Sequence, residues 1–194
     1  MHGITKEWLI AYWPHVSFFA AIFITLPLLT FLPYLDLLSL WIWLQVPIYM
    51  LHQFEEHGTG KFKLWINHVI FNSKEKEVLT NEHLFWINAP LTWVLFPLFA
   101  ALSSIHPSFA LWIIMTSILN SALHIGATAV QRKYNPGFWA SLVLNMPSGI
   151  FVIYLMQQHG ILNSINVTVS IIIAIAAHAL IQVIGRIQKR KVLY

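Results

Sequence analysis

The run His52-Gln53-Phe54-Glu55-Glu56-His57 concentrates the side chains best suited to chemistry. On a helix, residues three and four apart share a face, so His52 lies beside Glu55 and Glu56 and sets one imidazole against two carboxylates. That is the spacing of half a metal site. Helical bundles build metal centres from Glu-x-x-His pairs, and zinc peptidases pair helical histidines with an acting glutamate. The order here is His-x-x-Glu-Glu and matches neither pattern in full. The chain has no cysteine, so any metal must be held by His, Asp, Glu or amide oxygen.

Completing such a site requires other elements to bring ligands to the same depth. His124 lies eight residues before Arg132 and His178 eight before Arg186, each about 12 Å of helix from its cationic anchor. His52, nine residues before Lys61, falls at a comparable level. Ionisable groups within a membrane span are costly and face the bundle interior. The expected ligands are therefore His52, Glu55, Glu56, His124 and His178, converging on a divalent metal, zinc or iron, with one glutamate binding and the other serving as general base. Asn88, Asn120 and Asn145 read as hydrogen-bonding bridges between helices, although Asn88 and Asn145 are also deep enough to supply amides. His57 and His83 sit near the interface, where they can remain hydrated, and His2 falls in the terminus.

The elements that must position these residues are transmembrane. Of 194 residues, 58% are hydrophobic and only 9% charged, with mean hydropathy +0.68. There is too little polar surface here to cover a soluble core. The expected architecture is a single all-α integral membrane domain, residues 1–194. Its six spans are 16–35, 37–56, 84–102, 109–130, 138–157 and 167–184, each near the roughly 20 residues a bilayer requires.

All eleven cations fall in alternate connections: Lys6; Lys61, Lys63, Lys74 and Lys76; Arg132 and Lys133; Arg186, Lys189, Arg190 and Lys191. Residues 33–36, 103–107 and 158–166 carry none. This predicts cytoplasmic termini and a multi-pass protein of the inner membrane. It also accounts for the +4 charge without nucleic acid. Residues 1–13 lack the features of a cleaved signal, so the first span is expected to be retained. The 58–83 connection contains an amphipathic stretch, 62–71, expected to lie on the cytoplasmic surface as a roof. Thr80 or Asn81 is expected to cap the third span. Pro27, Pro47, Pro90, Pro97 and Pro147 are expected to kink their spans.

On His52-x-x-Glu55-Glu56, the later Asn120-Ser121-Ala122-Leu123-His124 and the chain size, the sequence resembles the small bacterial membrane proteins named for the H-x-x-E-E motif. That resemblance implies a site and not a reaction. The layout is also similar to the CAAX-processing and bacteriocin-immunity type of glutamate membrane peptidase, because Glu55-Glu56, His124, His178 and Gln182 follow in that order. The arginine expected after the glutamate pair is absent, with Lys61 nearby, and Gln182 stands where Asn or Asp is expected.

Together these readings predict an intramembrane metal-dependent enzyme, a hydrolase using metal-bound water on an amphipathic, lipid-like or peptide substrate. Membrane lipid is its expected partner, with entry from the bilayer or from beneath the cytoplasmic loop. The same residues would suit a non-haem iron oxidase or a permease subunit passing protons or metal. A bis-histidine haem protein or a non-catalytic scaffold are further alternatives.

Overall fold

The computed structural model describes residues 5–73 and 75–193, which are helical without a strand. His2 and Lys74 lie outside the described residues. Thr5 opens α1 (Lys6–Phe31) by accepting the Trp8 N–H at 3.2 Å, and Asp36 opens α2 (Leu37–His57) by accepting the Ser39 N–H at 2.9 Å. The Ser39 hydroxyl donates a second bond of 2.6 Å, and these bonds hold the Asp36 carboxyl below its ordinary range. The turn between them folds α2 back against α1 as a hairpin.

After α3 (Lys61–Trp65), which runs into a π turn at Ile66–Ile70, come α4 (Asn81–Leu102), α5 (Leu111–Gln131), α6 (Phe138–Gln158) and α7 (Ser164–Leu193). Thr80, one of the two expected caps, starts α4 through a reciprocal capping box with His83.

Pro27 and Pro47 lie inside helices that continue through them. Pro97 and Pro147 act differently: each follows a π turn, Leu91–Leu95 in α4 and Ser141–Asn145 in α6. A proline offers no N–H to the carbonyl four residues back, and its ring crowds that carbonyl. Widening the preceding turn, with Phe96 N–H on Leu91 O and Met146 N–H on Ser141 O, moves the carbonyl aside.

Among the described residues, five helical stretches are long and apolar enough to cross a membrane: Lys6–Tyr34, Asn81–Leu102, Pro107–Gln131, Phe138–Gln158 and Ser164–Val192. The expected second span forms α2, whose Gln45, His52, Gln53, Glu55 and Glu56 lower its hydropathy and leave it outside that set. The central core joins α2, α4, α5 and α6 through Ile42, Val46, Phe96, Ile113 and Met156. In contrast, α1 and α7 leave apolar surface outward, as at Phe23, Leu26, Ile172 and Leu180, and α7 packs chiefly against α5.

Polar contacts gather several chain segments at one end of the bundle. Lys6 pairs with Glu82 at 2.7 Å, Lys63 with Glu77 at 2.8 Å, and Lys76 Nζ donates to Val192 O at 2.8 Å. Asn67 organises the long connection there: its Oδ1 accepts the Val78 and Leu79 N–H groups, and its Nδ2 donates to Lys63 O and Leu79 O. Phe62 and Ile66 turn inward from this segment while Leu64, Val69 and Ile70 remain exposed.

Candidate metal centre

The last turns of α2 carry His52 and Glu56, four residues apart and therefore on one face, toward His124 of α5. His52 is fully buried, and Glu56 and His124 are 5% and 6% exposed. The Glu56 carboxylate sits among imidazoles: Oε2 lies 3.3 Å from His52 Nε2 and 3.5 Å from His57 Nε2, and Oε1 lies 3.5 Å from His124 Nε2. One ligand atom each from His52, Glu56 and His124 falls within 4.8 Å of the others. A tetrahedral shell with bonds of roughly 2.0–2.1 Å has edges of about 3.3 Å. Two of the observed separations are already close to that.

The outward-facing ring nitrogens are supported. His124 Nδ1 donates to Asn135 Oδ1, an acceptor, which leaves the Nε2 lone pair facing Glu56. His52 Nδ1 lies 3.4 Å from Ser141 Oγ. Such outer contacts fix tautomer and ring orientation around metals. His57 Nε2 is buried without a hydrogen-bond partner, and its ring packs between Trp13 and Phe62 with centroids 4.9 Å away. A carboxylate, inward lone pairs and a partnerless nitrogen form a donor set that suits a cation. Asn120 Nδ2 donates to His52 Nε2 at 2.8 Å, claiming the lone pair a metal would use. Metal binding at His52 therefore requires that amide to turn away.

Three of the five expected ligands come together, and two are held elsewhere. The Glu55 carboxylate accepts the Tyr134 hydroxyl at 2.8 Å, the Trp139 N–H at 3.0 Å and the Ala140 N–H. The unpaired N–H groups at the start of α6 attract an anion, and Glu55 supplies it. Burial, together with its bond to Glu55, pushes the Tyr134 phenol up to about 12. His178 donates from Nδ1 to Ala174 O at 2.8 Å, while its Nε2 stands 3.3 Å from Asn120 Oδ1. It meets the cluster only through Asn120.

The remaining polar candidates divide. His57 touches Glu56, whereas His83 caps α4. Asn88 donates to Leu84 O at 2.8 Å, and Asn145 is buried with neither side-chain atom paired. Sequence reasoning missed Asn135 and Gly137. At Gly137, φ is +94° and an added Cβ would lie 2.8 Å from His52 Cε1 and 3.0 Å from His124 Cε1, so the backbone presses on both rings where only glycine fits. The Asn135-Pro136-Gly137 run signals a turn. Nothing local in it points to the two histidines.

A cavity of about 910 Å³ opens over Glu56 and His124, walled by α4, α5 and α7. With this geometry in view, the family described as a protein of unknown function with HXXEE motif matches residues 43–152. The chain belongs to this HXXEE-motif family. His52, Glu55 and Glu56 supply the motif letters, and the HXXEE match also takes in His124, Asn135 and Gly137 while ending before His178 and Gln182. No curated protein and no solved structure matches the chain.

Proposed function

We propose that the chain is a six-span inner-membrane protein with cytoplasmic termini, and that it is a metal-dependent hydrolase acting on an amphipathic substrate. The observation that carries this reading is the convergence of buried His52, Glu56 and His124 within 4.8 Å, with Glu56 and His124 at the wall of a large cavity. Supporting six spans, α2 has 21 residues, about 31 Å of helix, the thickness of a hydrocarbon core. The alternation of cation-bearing connections and their gathering at one bundle end support the orientation.

Two imidazoles and one carboxylate leave an open position in a four-coordinate shell. A divalent cation bound there would supply Lewis acidity and a water acidic enough to ionise near neutrality. His57 Nε2, unpartnered and 3.5 Å from Glu56 Oε2, faces that carboxylate from outside the cavity and would hold its orientation. Glu55, committed to the start of α6, is not free to act as general base. The same ligand set also suits non-haem iron, so metal identity separates hydrolysis from oxidation.

Elemental analysis of purified protein provides the test. About one zinc or iron per chain is expected in the wild type, with loss to background in His52→Ala and His124→Ala. A folded wild type that takes up neither metal sinks the reading.

A further inference from the structure

The cavity is far larger than a metal centre alone requires. Its volume of about 910 Å³ stands at the upper end of small-molecule sites, roughly 300–1,000 Å³. It separates α4 from α7, both of which wall it, while α7 is held chiefly by α5. The lining is graded along its length. His83, Gln131 and Asn135 stand toward the end where the cations gather, and Glu56 and His124 border the same end. Deeper, with Asn88, Thr116 and the Asn120–His178 pair as the polar exceptions, the wall is largely apolar toward Leu91, Leu95, Leu119 and Ile175. Along α4 the lining extends from Leu84 to Leu95, about 16 Å of helix. That is the depth of one leaflet in a core about 30 Å thick.

We propose that this cavity holds one fatty acyl chain lying alongside the helices, its head carbonyl, an ester or amide, presented to Glu56 and His124. The assignment rests on the hydrolytic reading above and names its substrate class. In the reaction, a water oxygen bonds to the acyl carbon, the bond from that carbon to the leaving oxygen or nitrogen breaks, and the proton from water passes to the leaving group. The products are a fatty acid and an alcohol or amine. A polar peptide would bury unpaired amides against a wall that is largely apolar for a leaflet's depth.

Photolabelling distinguishes the outcomes. Protein in lipid nanodiscs, supplied with zinc, is irradiated with palmitic acid carrying a diazirine near its terminal methyl, and the labelled peptides are mapped. Saturable labelling of residues 84–95 and 116–123 is expected. Excess plain palmitate, or Leu119→Trp filling the channel, should reduce it about tenfold or more, with bound zinc unchanged. Leu119→Ala leaves the channel open and should label as wild type, which guards against a misfolded tryptophan variant. Labelling confined to outward positions such as Phe23 and Ile172 and not competed, with zinc bound, overturns the acyl-chain site and leaves the metal centre standing. Saturable cavity labelling in a folded protein that binds no zinc supports the chain site and removes the hydrolytic reading.

Discussion

Glu55 and Glu56 are neighbours on one helix, and their carboxylates end in opposite surroundings. Glu55 faces the start of α6, where two backbone N–H groups and the Tyr134 hydroxyl donate to it. Glu56 faces α5 among three imidazoles and receives no backbone donor in the described contacts. A carboxylate surrounded by fixed donors is satisfied and structural. One whose neighbours are three imidazoles, each able to offer a lone pair, with one long contact of 3.5 Å from the Gln53 amide, can take a cation, whether a proton or a metal. The adjacent acids therefore divide the work: one fixes the loop that supports the site and the other belongs to the site.

The largest expected effect breaks the Glu56 side of that comparison. Glu56→Gln removes the only carboxylate in the group and should lower zinc affinity by more than about a hundredfold, read by competition with a chromophoric chelator, with helicity unchanged. Asn135→Ala comes next. Loss of the His124 Nδ1 acceptor should weaken metal binding about 10–100-fold in the same assay, and an unchanged affinity would separate the loop from the site.

Glu55→Gln tests the other side. It should lower stability by about 1–2 kcal/mol in a thermal melt while retaining metal stoichiometry, because helix-terminus charge and hydrogen bonds are lost but no ligand is. Equal metal loss in Glu55→Gln and Glu56→Gln, with both variants folded, would erase the division. The smallest effect is expected for His178→Ala. Metal affinity should move by less than about threefold, since His178 reaches the group only through Asn120.

Much of this arrangement was legible in the sequence. Helical spacing put His52 and Glu56 on one face, and counting from Arg132 set His124 at their depth. The HXXEE resemblance rested on the same residues that the family match contains. What spacing does not report is competition for a side chain. His52 has Glu55 three residues away and Glu56 four, and either could share its face. Only the tertiary approach of α6, more than eighty positions later, decides that Glu55 turns aside. Depth similarly could not separate His178 from His124, because it ignores rotation about the helix axis and the Ala174 carbonyl that holds the ring. The start of α1 ten residues before the expected span reflects Thr5 capping, a local signal that a hydropathy window averages away.

The π turn at Ser141–Asn145 carries a consequence of its own. A turn closed by i→i+5 bonding stores one residue more than its α counterpart, and one residue corresponds to about 100° of rotation about the axis. It therefore works as a phase shifter within α6. The register that brings Ser141 to His52 is set apart from the register that seats Val152 and Met156 in the core. Substitutions that retune one end need not be transmitted to the other, whereas losing a single residue from the turn would misalign them both.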